Sequence, residues 1–514
     1  PESEAKEIEL KLVFDPAHAA ALCAHPLFSA GDDAPSGPRV LESKERELVS
    51  VYYDTPDDDL RKAGVFLRVR NAGAGYVQTI KTARAESEFL ERREWECALP
   101  SNAFDLSAAK GTALAPLLSD TVRAALGPRF ETRFARQTHL IEDEGTLVEA
   151  AVDQGDIVAG DNSTRVCELE LELKSGKCAT LFSLAKYLAE TVPLTLSVKT
   201  KAERGFDLLD GGEPEFERAL PIDIAPEETC ANAFRIVARN CLRQVLVNLP
   251  GTRAGHAESL HQMRVGLRRL RAAVTLFGDV VDGPHRAQIG DELKWIAGRL
   301  GRARDLDVFI SDIMEPHRAD YPDDLGWKAV EERVRRARDE AYKAAVVATG
   351  SARFRLALLD VGAWIEFGDW TEGGNRLARE PVEGYASAKL SRLRRSVVKK
   401  GKDLQKLRTP KRHRLRIRAK RMRYGSEFFG ATFPGKQSAK RCRKSLAALE
   451  KLQDSLGMLN DIANRQTLFD IGNDRPDPVT LPMPKVGPGE KKALMKTARH
   501  ANARFAEVRA FWKV

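Results

Sequence analysis

The stretch Glu168-Leu-Glu-Leu-Glu-Leu-Lys174 decides how the first part of this chain folds. Its alternation has a period of two, so Glu168, Glu170, Glu172 and Lys174 share one face of a strand. Leu169, Leu171 and Leu173 share the other. The leucines need a core. Three carboxylates in a row repel one another unless cations sit between them, either metal ions or Arg and Lys side chains. A shorter version of the pattern, Glu7-Ile-Glu-Leu-Lys11, lies near the beginning.

At 514 residues the chain is long enough for more than one domain with its own core. The net charge of +9 conceals an asymmetry. Residues 1–212 carry 25 Lys and Arg against 36 Asp and Glu, a net of −11; residues 213–514 carry 58 against 38, a net of +20. That split predicts two domains with different partners, a first domain over 1–212 and a helical one over 228–514. The Gly- and Pro-punctuated segment 213–227 is read as a linker. No run is apolar enough to span a bilayer. The polar opening Pro1-Glu-Ser-Glu-Ala-Lys6 does not read as a signal peptide. Seven scattered cysteines without a Cys-x-x-Cys pattern argue for reduced thiols and against a zinc site. The expectation is a cytoplasmic protein.

Working outward from 168–174, the same alternation recurs. Arg68 and Arg70 share a face, as do Val77, Thr79 and Lys81. So do Arg92, Glu94 and Glu96, and the segment Leu147–Asp153 follows the same rule. Helical patches separate some strands, so the class is α+β with a large antiparallel sheet. A single such strand is ordinarily a half-buried sheet with its charges in water. The whole set points instead to a closed barrel with charges inside and apolar residues outside. Such a lumen suits a polyanion with a divalent metal.

Glu7-x-Glu9-x-Lys11, Tyr52-Tyr-Asp-Thr-Pro56, Leu67-Arg-Val-Arg70, Thr79-Ile-Lys81, Arg92-x-Glu94-x-Glu96, Glu168-Leu-Glu-Leu-Glu172 and Lys201-Ala-Glu-Arg-Gly205 run in one order over residues 7–206. This series resembles the CYTH superfamily, the triphosphate tunnel metalloenzymes. The resemblance implies an eight-stranded antiparallel tunnel barrel. It implies catalysis through Glu7, Glu9, Glu170 and Glu172, and Mg²⁺ or Mn²⁺ held among Glu7, Glu9, Asp153, Glu168, Glu170 and Glu172. It implies phosphate binding by Lys11, Arg46, Arg68, Arg70, Lys81, Arg92, Arg136 and Lys201, with Arg133 competing for the place of Arg136. Which carboxylates of 168–172 touch metal stays open.

From about residue 228 the period becomes helical. Met263, Leu267, Leu270 and Val274 form an apolar stripe, and His261, Arg264, Arg268 and Arg271 a basic one beside it. The design returns 152 residues later as His413, Arg416, Lys420 and Arg423, with Arg421 alongside. Leu300-Gly-Arg-Ala-Arg-Asp305 likewise matches Leu456-Gly-Met-Leu-Asn-Asp461. Two matches in the same order argue for a duplicated helical unit. In residues 411–423, eight of thirteen residues are Lys or Arg and none is acidic. Self-repulsion of that kind asks for a polyanion.

These segments resemble the CHAD domain, a conserved-histidine α-helical domain often found beside CYTH. The resemblance implies an all-α domain of two pseudo-symmetric four-helix bundles. Inorganic polyphosphate would bind at His261, Arg264, Arg268, Arg271, His413, Arg416, Lys420, Arg421 and Arg423. Asp305, Asp307 and Asp461 are expected to cap helices or pair with the basic stripes. Sparse aromatics make nucleic acid the lesser partner.

The expected function is metal-dependent hydrolysis of inorganic triphosphate beside polyphosphate binding, as in bacterial CYTH-CHAD proteins, with association with polyphosphate granules and no membrane partner. Alternatives are a non-catalytic polyphosphate binder or an enzyme for another triphosphate, such as thiamine triphosphate or a nucleotide.

Overall fold

The computed structural model describes residues 5–29, 37–71, 73, 75–83, 90–212, 216–320, 325–371, 374–470 and 488–513. The proline-rich stretch 473–484 lies outside them. They form two compact units: residues 1–217 with 246–251 and 349–367, and residues 218–245, 252–348 and 368–514. Among the described residues no helix is long and apolar enough to cross a membrane.

Among the described residues the first unit is built on nine antiparallel strands: β1 (Ala5–Val13), β2 (Arg39–Asp54), β3 (Val65–Asn71), β4 (Tyr76–Thr82), β5 (Glu91–Leu99), β6 (Gly127–Asp143), β7 (Thr146–Ala159), β8 (Asn162–Ser175) and β9 (Thr195–Ser197). Their order is β5-β4-β3-β2-β6-β7-β8-β1, and β1 pairs back onto β5. Eight strands therefore close on themselves, and the three-residue β9 adds to β1 beyond the stretch that pairs with β5. Leu169 and Leu171 of β8 are fully buried outside the lumen, as their alternation requires.

The longer helices are α1 (Ala179–Thr191), α2 (Lys201–Leu209), α3 (Cys230–Val247), α4 (Ala257–Leu276), α5 (His285–Arg299), α6 (Gly301–Phe309), α7 (Leu325–Gly350), α8 (Ala352–Phe367), α9 (Val382–Gly401), α10 (Thr409–Phe428), α11 (Lys436–Asp470) and α12 (Pro488–Glu507). Sequence reading placed α8 with the helical half, yet it packs in the first unit. Apolar side chains such as Phe354, Leu358, Leu359, Val361 and Ile365 ring much of its surface, so it must bury more than one face. Gly362 lets Phe182 of α1 come within 2.9 Å of where a Cβ would stand. Lys186 donates to Asp360 at 2.5 Å, and Arg355 donates to the Ala189 carbonyl at 3.3 Å.

The lumen is not charged throughout. On its inward face Tyr52, Phe130 and Phe134 pack against Ala202 and Phe206 of α2. Thr200 caps that helix: its hydroxyl accepts from the Glu203 amide at 3.1 Å, and the Glu203 carboxylate accepts from the Thr200 amide at 2.8 Å. The cap places Lys201 at the first helical position, aimed into the barrel.

In the second unit α9 packs on α10, α10 on α11, α11 on α12, and α12 returns to α9. In the preceding half α4 contacts α5 and α6, and Leu260 of α4 shares a core with Leu306 of α6 and Tyr342 of α7. The duplication appears as repeated contacts. The Arg264 guanidinium passes 3.5 Å from where a Cβ of Gly301 would stand, and Arg416 passes 3.4 Å from the same point on Gly457. The matched Phe277 and Phe429 are both fully buried and lie against one another, with ring centroids 5.4 Å apart.

Gly205 of α2 lies so close to Phe130 that a Cβ would stand 2.1 Å from the ring. Gly205→Ala should therefore push α2 off the barrel and cost roughly 1–3 kcal/mol. Thermal unfolding checks this, and an unchanged melting temperature would contradict the tight packing.

Candidate functional site in the barrel

Directly paired residues of antiparallel strands project to the same side. Arg46, Arg136, Asp153 and Glu168 thus form one row across β2, β6, β7 and β8. Lys11 and Glu170 form the next, with Ala151, and Glu9, Glu172 and Glu149 the one after. On the other wall Arg68, Thr79 and Glu96 align, as do Lys81 with Glu94 and Glu7 with Arg92.

The row next to the aromatic end is an ion cluster. Lys201 Nζ lies 2.7 Å from Asp153 and 3.0 Å from Glu170, and it also contacts Glu168. Lys11 contacts Glu170 and sits 3.5 Å from Glu168 and 3.9 Å from Glu9. Arg136 grips Asp153 through two donors and reaches Glu170 at 2.7 Å. Burial pushes the Glu170 carboxyl up, but Lys11, Lys201 and Arg136 outweigh it and hold it well below the usual range. Burial likewise lowers Lys201, and Asp153, Glu168 and Glu170 more than restore it. Asp153, Glu168 and Glu170 could also hold a metal ion, since one oxygen of each falls within 4.8 Å of the others.

Beyond this cluster opens a cavity of about 250 Å³. Glu7, Glu9, Lys11, Arg68, Arg70, Lys81, Arg136, Glu170, Glu172 and Lys201 border it; Asp153 and Glu168, 1% and 0% exposed, lie behind its wall. Arg46 faces the same way as Arg136 but is exposed and outside the lining. Arg92 lies on β5, and its side chain falls outside the described residues. Arg133 has the opposite parity to Arg136; it points out of the barrel and pairs with Glu131.

The cavity's charges are unevenly satisfied. Arg70 is pushed down to about 10, first by burial and then by Arg68 and Arg136. Across the lumen Glu172 is raised by burial, with Lys174 opposing and Glu7 and Glu149 adding to the rise. Glu94 is pushed up to about 7 by burial, with Lys81 opposing and Glu7 adding. Arg70 thus stands beside other cations, while Glu94 and Glu172 stay raised although Lys81 lies 3.0 Å from Glu94 and Lys174 2.8 Å from Glu172. All-oxygen donors of this kind fit a hard divalent ion.

Tyr52, Thr79, Glu94, Glu96, Glu149 and Lys174 also border the cavity, although none stood among the expected site residues. Parity held the signal: Glu94 and Glu96 share a face with Arg92, and Glu149 shares one with Asp153. Asp54 of the Tyr-Tyr-Asp-Thr-Pro motif is structural. It is 1% exposed and accepts from the backbone amides of Thr55, Leu60 and Arg61 at 2.7–2.9 Å.

In the helical unit a trough of about 330 Å³ lies among α4, α5 and α10. Arg268, Arg271, Lys420 and Arg421 line it above Val274, Leu293, Ile417 and Tyr424. Arg421 is exposed, whereas its duplicate Arg269 is buried and donates to Asn240 at 3.1 Å and Gln244 at 2.9 Å. His261 and Arg264 are half-buried on the same stripe of α4, and His413 is exposed on α10. Asp307 accepts from Arg338 and from the Tyr342 hydroxyl, both at 2.7 Å, so it pairs with α7 rather than with a basic stripe. The Asp461 side chain lies outside the described residues.

A carboxyl raised in the fold keeps its proton there while the unfolded chain, with an ordinary value of 4.5, has lost it. The resulting penalty grows as pH rises from about 4.5 to about 7. Without metal, Glu94→Gln should therefore lose less melting temperature than the unmodified protein between about pH 5 and pH 7.5. Parallel profiles would contradict the assignment.

Residues 5–206 match the sequence model of the CYTH domain, and residues 236–470 that of the CHAD domain. An inorganic triphosphatase of Haemophilus influenzae is 32% identical over 207 residues, 39% of this chain and 54% of that protein, so the matched part spans about half of the relative. An uncharacterised protein of Mycobacterium tuberculosis is 26% identical over 422 residues, 76% of this chain and 78% of that protein. A solved CHAD domain from Ricinus communis is 27% identical and covers 57% of this chain and 93% of its own, with a TM-score of 0.45. The chain therefore belongs to the proteins that carry a CYTH domain followed by a CHAD domain.

Proposed function

We propose that the barrel hydrolyses inorganic triphosphate with Mg²⁺ or Mn²⁺ and that the helical domain binds inorganic polyphosphate. The observation that carries the first part is the cavity's electrostatics: Arg70 is lowered by burial beside Arg68 and Arg136, and Glu94 and Glu172 stay raised by burial although they pair with Lys81 at 3.0 Å and Lys174 at 2.8 Å. A triphosphate with a divalent ion answers both. The likeness to the Haemophilus influenzae inorganic triphosphatase supports the same substrate.

In this reading Glu7, Glu9, Glu170 and Glu172 hold the metal, because they border the cavity. Bound there, the ion supplies charge neutralisation and Lewis acidity for phosphoanhydride cleavage. Arg68 and Arg70 bind phosphate oxygens from one wall, with Lys81, Lys11 and Lys201 completing the cradle. Asp153 and Glu168 act from behind: their charges keep Lys201 and Lys11 protonated and fixed in place. Preset cations lower the cost of charge developing on the transferring phosphoryl oxygens. Water is the acceptor, and the products are pyrophosphate and phosphate. The Arg268, Arg271, Lys420 and Arg421 trough supports the second part of the proposal.

The test is phosphate release by the full chain from inorganic triphosphate, thiamine triphosphate and ATP. Inorganic triphosphate should give the highest kcat/KM. Chelation should abolish turnover, and Mg²⁺ or Mn²⁺ should restore it. Glu9→Gln should lower kcat by about 100-fold or more, while Arg70→Ala should act mainly through KM. Turnover that survives chelation, or survives Glu9→Gln, would sink the enzyme reading and leave the barrel a binding site. Competition between long-chain polyphosphate and DNA across salt concentrations tests the helical domain, with polyphosphate expected to win.

A further inference from the structure

The helical unit presents one basic stripe twice, but the two copies stand in opposite electrostatic surroundings. On α4, none of His261, Arg264, Arg268 and Arg271 forms an ion pair with a carboxylate among the described residues. Their charged neighbours are mostly one another and Arg304 of α6. His261 is pushed down to about 4, first by burial and then by Arg304, with Arg268 and Arg264 adding and only Glu258 opposing. Burial also lowers Arg264; Asp305 opposes this, and Arg268 and Arg304 reinforce it. Arg271, at the far end, is exposed. Cations crowded in this way destabilise the empty site and favour an anion.

On α10 two of the same positions, Arg416 and Arg423, stand beside acids. Arg423, the duplicate of Arg271, ion-pairs with Glu427 at 2.9 Å and also feels Glu450 of α11. Asp454 of α11 lies within electrostatic reach of Arg423 and Arg416. The first repeat has no acid at these places. Thr275 stands where the second has Glu427, and Lys294 and Gly298 stand where it has Glu450 and Asp454. The offsets are those that superpose Arg264 on Arg416 and Gly301 on Gly457. Arg304, which crowds His261, corresponds to Asn460.

We propose that polyphosphate is held unequally by the two copies: by the whole α4 stripe of the first with Arg304, and from α10 by Lys420 and Arg421 across the trough, but not by Arg416 and Arg423. Arg416 and Arg423 are offset within the protein by Glu427, Glu450 and Asp454 and serve to seat α10 against α11. This inference rests on the reading of the helical domain as a polyphosphate-binding module.

The test is binding of long-chain inorganic polyphosphate to the full chain by fluorescence anisotropy at several salt concentrations. Arg268→Gln with Arg271→Gln should weaken binding roughly tenfold and flatten its salt dependence. Arg416→Gln with Arg423→Gln should change affinity less than about twofold. Glu427→Thr, Glu450→Lys and Asp454→Gly together give the second repeat the residues of the first. That variant should bind about threefold more tightly than a control with the same charge change on α7, Glu332→Gln, Asp339→Asn and Glu340→Lys. Equal losses from the two arginine pairs, or no gain beyond the control, would overturn the inference while leaving polyphosphate binding intact. If the unmodified chain fails to bind polyphosphate at low salt, the domain reading itself fails, and this inference with it.

Discussion

Six charges at the waist of the barrel, four buried and two half-buried, Lys11, Arg136 and Lys201 against Asp153, Glu168 and Glu170, are the constraint on which the rest of the first unit depends. Desolvating any one of them alone costs several kcal/mol, and removing a partner leaves an uncompensated charge. The six charges come from four strands and one helix. Their mutual satisfaction therefore fixes the register of β1, β6, β7 and β8 and the entry angle of α2. The capping box at Thr200 and the contact of Gly205 with Phe130 serve the same end, because they deliver Lys201 to its partners.

The cluster also divides the lumen along its axis. On one side lies an aromatic layer, with Lys201 positioned 5.2 Å from the Phe134 ring centroid. On the other lies the open cavity, where Lys81 pairs with Glu7 and Glu94 and Lys174 with Glu172, while Arg70 stands beside Arg68 and Arg136. Cations held rigidly by a neutral network cannot collapse onto the remaining carboxylates. Arg70 on β3 and Glu94 on β5 belong to one wall, and each is shifted away from its ordinary ionisation. A site prepared in this way binds complementary charge without reorganising.

In the helical unit the duplicated frame and the duplicated charges have parted company. Arg264 over Gly301, Arg416 over Gly457 and the Phe277–Phe429 contact preserve the frame. Substitutions on the facing helix, Lys294 to Glu450 and Gly298 to Asp454, reverse the field around an otherwise similar stripe. Packing tolerates such changes because they lie at solvent-facing positions, whereas the core contacts do not.

Much of this was legible in the chain itself. Period-two alternation placed Glu7, Glu9, Lys11, Arg68, Arg70, Lys81, Glu170 and Glu172 on inward faces, and all of them border the cavity. Parity also carried the signal for Glu94 and Glu149, whereas between Arg136 and Arg133 it left the choice open until the pairing of Arg136 with Asp153 decided it. What parity cannot supply is depth along the barrel or the identity of a cross-lumen partner, since both depend on strand register and closure. Only the tertiary structure decided that Asp153 and Glu168 stand behind the wall, that Arg46 falls beyond the cavity, and that α8 packs in the first unit. Only it decided that Arg423 meets Glu427 while Arg271 forms no ion pair with an acid among the described residues. An amino-acid sequence determines which face of an element a charge occupies. The energy of that charge is set by the neighbours that burial brings within a few ångströms, and folding alone selects them.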